Sequence, residues 1–539
     1  MHAIDRLSFD RRVDALFDRF TRPGSPGAVV GVMQDGALLL SRGYGLASIE
    51  HGVPIAPTTR LRIASVTKQF TVTAALMLAE DGLLSLDEPP HTYLPELPPL
   101  PVTLDQMMRN SSGLPDFLEL LRLGGHGLDR PCRAEDLIAA IARNRHLNFP
   151  PGSRFLYSNT NFLLLGLIVE RLAGQRLHEL LATRIFAPLG MTRTLLHPSL
   201  DTPVPDLATG YLQNPDGSVR RAPHAYPQGG EGGLISTVED LLIWSRHFDR
   251  PVLQPADLAQ RLTTPAPLSS GAANAYLRGL ERGQLRGLAT IGHGGLWPGF
   301  RTEFLRVPDA RLTVVVIANL GSIDPHRLAR AVAVEALRDA KAPALAPAPA
   351  AIAAPAIEAL AGTYVNEAEP SLFDLAWRDG EPTVIQNGMP FALAPRGDGW
   401  LAAVRGAFEF ALRLPASGDT LEVALGAGRV LPFRRLPYRD PPPADLAGRY
   451  HAADCEATWT IVPVDRGFAV NVAGPLVTGG PAWPVRGVTS DLIEIETPSP
   501  WLTVTQMAGV ERDAAGAITG LAVSTGRIKR MLFTRVAPG

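Results

Sequence analysis

A serine stands three residues before a lysine at Ser65 and Lys68, in the run Ile63-Ala64-Ser65-Val66-Thr67-Lys68-Gln69-Phe70. Residues i and i+3 share one face of a helix, within hydrogen-bonding reach of each other. Serine becomes a strong nucleophile when a neighbouring base takes its proton. A lysine desolvated beside Val66 and Phe70 can be that base. A second polar pair, Tyr157 and Asn159, ends the stretch Phe149-Pro150-Pro151-Gly152-Ser153-Arg154-Phe155-Leu156-Tyr157-Ser158-Asn159. Two residues apart in an extended loop, both side chains point the same way. A phenol between two cations can ionise below its usual pKa of about 10 and shuttle protons. Asn159 can donate to a substrate carbonyl. A third element is Ile291-Gly292-His293-Gly294-Gly295-Leu296. Its glycines let a substrate backbone approach an edge strand, and His293 adds a donor or a positive charge there. Together these residues describe a serine hydrolase working through an acyl-enzyme, with Ser65 as nucleophile and Lys68 as base.

The composition sharpens the choice of Lys68. Only three of the 51 Lys and Arg residues are lysines: Lys68, Lys341 and Lys529. In so arginine-rich a chain, an ordinary exposed cation would be arginine. A lysine here points to a task arginine cannot do, such as losing its proton when desolvated, which arginine effectively never does. The net charge is −2 and no basic stripe stands out, which argues against a nucleic-acid partner. No stretch approaches the roughly 20 apolar residues of a membrane span, and the charged first residues lack the apolar core of a secretory signal. The expected location is therefore the cytoplasm. Cys132 and Cys455 suggest neither a disulfide framework nor a metal site, so no metal and no cofactor is expected.

These residues need elements to hold them. Ala28–Gln34 and Ala37–Leu40 flank the hairpin signal Asp35-Gly36. Phe70–Leu84 reads as a buried helix stopped by Gly82, and Asn161–Leu172 as a second one closed by Gly174. If Ser65 and Lys68 open the first of these, its N-terminus also favours negative charge developing on Ser65. Glu303–Arg306 and Leu312–Ile317 form another hairpin about Pro308-Asp309, and Pro325–Lys341 a closing helix. Strands at both ends with helices between predict one α/β sandwich over residues 1–340. Residues 341–357 are Ala- and Pro-rich and read as a semi-rigid linker. Beyond it, Leu360-Ala361-Gly362-Thr363-Tyr364 recurs as Leu446-Ala447-Gly448-Arg449-Tyr450. Phe433-Arg434-Arg435-Leu436 is echoed by Phe533-Thr534-Arg535-Val536. A repeated head and tail predict two copies of one unit, over 358–437 and 444–539, each a small antiparallel β-barrel.

Ser-x-x-Lys, then Tyr-x-Asn about 90 residues on, then His-x-Gly resembles the serine β-lactamase and DD-peptidase superfamily, in its class C branch, the S12 peptidase group. The segments Thr103–Pro115, Ile185–Met191 and Gly232–Thr237 also resemble stretches of that group. The resemblance implies a β-lactamase-like sandwich, an antiparallel sheet flanked by helices. It implies catalysis by Ser65, Lys68, Tyr157 and His293, and oxyanion donors in the backbone N–H groups of Ser65 and Leu296. Asn159, Gly295 and Leu296 would line the substrate site.

Two barrels after such a domain resemble the D-stereospecific aminopeptidases, which release small N-terminal D-residues from peptides, amides or esters. The resemblance implies a homodimer. In that family a loop of the second barrel enters the cleft with an acid that meets the substrate's α-amino group. The counterpart here is Gly474–Trp483, where Thr478, Gly480 and Pro481 would meet substrate, but the loop holds no Asp or Glu. An esterase, a DD-peptidase or a β-lactamase on the same machinery are the alternatives, followed by a silent scaffold.

Overall fold

Seven apolar or Thr residues in unbroken succession, Leu312–Ala318, need cover on both faces, because neighbouring side chains in a strand point opposite ways. The computed structural model supplies that cover. It describes residues 6–537 apart from 128, 198, 226–228, 339–344, 397–398, 404–409, 416–418, 426–428, 476, 478–479 and 498–503. The main sheet comprises β1 (Ala28–Gln34), β2 (Ala37–Tyr44), β3 (Glu281–Leu285), β4 (Leu288–Trp297), β5 (Phe300–Val307) and β6 (Leu312–Ala318). Their spatial order is β3-β4-β5-β6-β1-β2, antiparallel throughout. The first and last strands of the domain thus meet at its centre, with Val30 opposite Val316 and Val32 opposite Val314. Val314 and Val316 face one apolar cluster, while Val315 and Ile317 face another.

Helices α1 (Arg6–Phe17) and α5 (Pro325–Arg338) cover the first face. Helices α2 (Lys68–Glu80), α3 (Asn159–Ala173) and α4 (Val238–Asp249) build on the second. The hairpin turn forms at Asp35 and Gly36, with φ of 51° and 79°. Gly174 caps α3 in the left-handed conformation at φ 63°. None of the described helices is long and apolar enough to cross a membrane.

The C-terminal third forms two closed eight-stranded antiparallel barrels, Gly362–Leu436 and Gly448–Val536. The repeated motifs close them. Tyr364 Oη donates to Leu360 O at 2.7 Å and Tyr450 Oη to Leu446 O at 2.8 Å. Arg435 Nη2 donates to Ala361 O at 2.6 Å and Arg535 Nη2 to Ala447 O at 2.7 Å. First and last strands pair at Tyr364 with Arg435 and at Tyr450 with Arg535. The head and tail read as a repeat in sequence are therefore the seam of each barrel. A short helix, Ala354–Glu358, occupies the end of the stretch expected to be linker, and its Ile357 is buried in the first barrel's core.

Candidate active site

Ser65 lies in a one-turn helix, Ala64–Thr67, that runs straight into α2. Ala64 holds a left-handed φ of 48°, a conformation that costs an L-residue about 1–2 kcal/mol. Such strain persists only where the surroundings enforce it, here immediately before the nucleophile. Gly295 of β4 passes so close that a Cβ there would lie 2.4 Å from Ile63 O. Gly279 does the same beside the start of α2, 3.0 Å from Lys68 O. The Ser65 turn is thus gripped between two backbones that admit no side chain.

Lys68 Nζ is 3.0 Å from Ser65 Oγ, 2.9 Å from Asn159 Oδ1 and 2.6 Å from the carbonyl oxygen of Glu231. It also lies 4.9 Å from the centre of the Tyr157 ring and 5.3 Å from that of Phe162. Burial pushes its ammonium down to about 7, with the nearby Glu231 carboxylate working against that shift and Arg527 adding to it. Near neutrality a large share of Lys68 is therefore the free amine that can take a proton. Tyr157 completes the group through a hydrogen bond with Ser65. Ser65, Tyr157, Asn159, Gly294, Gly295 and Leu296 line one cleft of about 1180 Å³, with walls from all three domains.

Comparison with known proteins fits this geometry. The family model described as Beta-lactamase matches residues 10–338. A D-aminopeptidase of Cereibacter sphaeroides is 30% identical over 546 residues, spanning 99% of this chain and 100% of that one. The chain belongs to the beta-lactamase family. It is a serine hydrolase, similar along its whole length, barrels included, to D-aminopeptidases. A D-aminopeptidase of Brucella anthropi is 27% identical over 539 residues, 95% of this chain and 96% of that one. The octameric penicillin-binding protein homologue from Pyrococcus abyssi shares the fold, with a TM-score of 0.57 at 21% identity over 80% of this chain and 100% of that one.

Three expectations need correction. The His293 side chain is fully enclosed and held behind Tyr157, their ring centres 6.0 Å apart. Its Nδ1–H donates to Gly294 O at 2.6 Å, so Nε2 is left to accept from Tyr276 Oη at 2.9 Å. Burial, aided by the charge of Lys68, pushes it down to about 3. It is neutral at working pH and supplies no positive charge to substrate. Burial likewise raises the Tyr157 phenol above its ordinary value, outweighing the cation Arg527, so it acts as a neutral hydroxyl. Asn159 commits one of its amide hydrogens inward, to Asp116 Oδ2 at 2.9 Å, leaving one for substrate.

The third correction concerns Gly480 and Pro481 of the barrel loop. Thr478 lies outside the described residues. Gly480 and Pro481 are exposed, and no described residue of 474–483 lines the cleft. The segment leans on Gly124-Gly125, where a Cβ on Gly125 would lie 2.8 Å from Val472 and 3.0 Å from Val477. Trp483 is drawn into the barrel core against Trp459, ring centres 5.6 Å apart. A different loop of the same barrel reaches the cleft: Thr525–Arg530, between strands Ile518–Ser524 and Met531–Val536. Its Arg527 pairs with the fully buried Asp116 at 3.0 Å and stacks over Tyr157 at 4.8 Å from the ring centre. Asp116 also accepts from the backbone N–H of Asn159 at 2.8 Å. Burial works against the charge on Arg527, but the Asp116 carboxylate beside it favours that charge, and its pKa is raised.

Sequence reading passed over Asp116, Glu231, Tyr276 and Arg527. Glu231 had a local signal, a lone acid among Gly229, Gly230, Gly232 and Gly233. Arg527 sits two residues before one of the three lysines, a weaker cue. Among the described residues no group of three or more His, Cys, Asp or Glu could hold a metal ion.

Proposed function

We propose that this serine hydrolase is a D-aminopeptidase, releasing a small N-terminal D-residue from a peptide, amide or ester. The observation that carries the reading is the contact of Lys68 Nζ with Ser65 Oγ, Asn159 Oδ1 and Glu231 O in a cleft shared with both barrels. The full-length likeness to D-aminopeptidases supports the substrate class. A homodimer, implied by the family resemblance, belongs to the same proposal.

In this reading neutral Lys68 accepts the Ser65 proton as Oγ attacks the carbonyl carbon. The oxyanion is met by the backbone N–H groups of Ser65 and Leu296, each such donor being worth about 3–4 kcal/mol. The proton returns through the Tyr157 hydroxyl to the leaving nitrogen or oxygen as its bond to carbon breaks. Water then enters by the same route in reverse and frees the D-amino acid. The free amine of the substrate is an ammonium and needs a carboxylate. Glu231 lines the cleft, and its oxygens accept from the backbone N–H groups of Gly229 and of Glu231 itself. Glu119 lines it too, already paired to Arg122 at 2.6 Å.

Rates on D- and L-alanine p-nitroanilides, beside short-chain p-nitrophenyl esters, test the proposal. Turnover of the D-anilide that is lost in S65A is expected. Equal D and L rates, or ester turnover alone, would overturn the D-aminopeptidase reading in favour of an esterase.

A further inference from the structure

The charged groups that line the cleft are nearly all matched within the protein. Glu119 pairs with Arg122 at 2.6 Å, Glu303 lies 3.3 Å from His326, and Arg530 pairs with Glu511 at 2.7 Å. Glu369 is held by Arg154 at 3.2 Å and also by Arg429. Arg527 is matched by Asp116. Lys529 is different. Its Nζ donates to Thr525 O of its own loop at 3.0 Å, and no carboxylate of the described residues lies within ion-pair distance. An ammonium carries three donors, so two remain for something in the cleft.

The loop holding Lys529 is fixed before any ligand arrives. Lys529 N donates to Asn148 Oδ1 at 2.8 Å, and His146 Nε2 donates to Lys529 O at 2.7 Å. Asn148 Nδ2 donates to Arg527 O at 3.1 Å. Burial pushes the Lys529 ammonium below its ordinary pKa, and the carboxylates that act on it, Glu369 and Glu119, are already neutralised by arginines. A desolvated cation in that state gains most from an anion brought by the ligand. Lysine also suits the task in a chain that otherwise uses arginine. A compact ammonium can turn its donors to a carboxylate whose approach varies, whereas a guanidinium offers one fixed fork.

Position says which part of the substrate meets it. Tyr157, in the proposed mechanism, hands the proton to the leaving group. Arg527 lies over that ring, and Lys529 is two residues further along the same loop, at most about 7 Å between Cα atoms. The leaving part of a peptide extends by about 3.5 Å per residue along the cleft that Tyr157 and Lys529 both line, which brings a carboxylate past the scissile bond toward Lys529.

We propose that Lys529 binds a carboxylate on the leaving side of the substrate, so that the enzyme favours short D-aminoacyl peptides carrying a free carboxylate. This rests on the D-aminopeptidase reading.

The test compares D-Ala-Gly with D-Ala-Gly-amide, and adds D-Ala-Glu-amide, whose only carboxylate is on a side chain. Wild type is expected to favour the free acid over the amide by at least about tenfold in kcat/KM, mainly through KM, the scale of a charge-assisted hydrogen bond. K529M brings that ratio to about one and K529R leaves it between. Preference for D-Ala-Glu-amide over D-Ala-Gly-amide would show that a side-chain carboxylate serves as well as a terminal one. A wild-type ratio near one, or a ratio kept in a folded K529M, overturns the proposal. Thermal melting establishes that the variants are folded. If wild type cleaves none of the D-alanyl substrates, the parent reading fails. Lys529 is then tested on the acetate esters of 4-hydroxybenzoate and 4-hydroxybenzamide, where the same loss of ratio in K529M is required.

Discussion

Lys68 is enclosed by the Tyr157 and Phe162 rings, and burial is the largest influence on its ammonium. Only the neutral amine can accept the Ser65 proton, so kcat/KM should rise with pH through an inflection near the value of about 7 that burial gives Lys68, and fall again as the substrate ammonium loses its proton near about pH 8. Acid protonates Lys68 and switches the enzyme off. His293, pushed down to about 3, contributes no inflection between about pH 5 and 8.5. The measurement is the pH profile of kcat/KM for wild type and H293Q. H293Q should lose rate, because Tyr276 and the ring of Tyr157 lose their backing, while its inflection stays within about half a pH unit of wild type. An inflection displaced by more than a unit in H293Q would return the titration to His293. Spacing in the sequence was enough to find His293, but not its charge. That depends on Tyr276 and Tyr157, which enclose it only in the fold.

At the scale of elements, the Ser65 turn and β4 must touch without side chains between them. A Cβ on Gly295 would stand 2.4 Å from Ile63 O and 3.0 Å from the Cβ of Thr302. Neither neighbour is the free end of a flexible chain, so G295A must push β4 away from the turn. Overpacking of this kind costs about 1–3 kcal/mol of stability. Displacing an oxyanion donor by about 1 Å costs on the order of 100-fold in kcat. Kinetics and thermal melting of G295A, beside G509A as a control, check this. The nearest atom to a Cβ on Gly509 is 4.0 Å away. A G295A enzyme with wild-type kcat would mean that the approach of β4 does not govern the chemistry. The elements themselves were legible because each carries a local signal. The turn glycines Gly36 and Gly174, the unbroken apolar run of β6 and the apolar helices α2 and α3 all state their structure within a few residues. The barrels were legible through their seam, since Gly362, Tyr364 and Arg435 recur as Gly448, Tyr450 and Arg535. The loop that enters the cleft was not. Thr525–Arg530 reads as an ordinary turn, and its meaning lies in contacts with residues almost 400 positions earlier, such as Asn148.

The whole molecule is tied to its chemistry through one such contact. Arg527 of the last barrel meets Asp116 of the first domain, 411 positions away in the chain, and Asp116 holds Asn159, which holds Lys68. The docking is broad. Trp459 Nε1 donates to Leu123 O at 2.9 Å, and Arg145 N donates to Asp454 Oδ1 at 2.5 Å. The second barrel can therefore stay in place when Arg527 is changed, and the charge can be examined alone. The two charges act on Lys68 in opposite directions: Arg527 lowers its pKa and Asp116 raises it. R527M leaves Asp116 buried and unmatched, a loss of about 3–5 kcal/mol for a broken buried pair. It also removes a cation that opposed protonation of Lys68, so the acidic limb of kcat/KM should move to higher pH and activity at neutrality should fall. D116N removes the opposing anion and should move the limb to lower pH, while weakening the grip on Asn159. With both charges gone, D116N/R527M should recover much of the stability lost in R527M and return the limb toward wild type. The pH profiles and melting temperatures of all four proteins form a double-mutant cycle, in which contacting charges show a coupling of about 0.5–3 kcal/mol. Limbs that coincide in all four, with additive losses of stability, would mean that the second barrel only packs against the catalytic domain. Displacement in opposite directions by the single variants would make that barrel part of the apparatus that sets the working pH of Lys68.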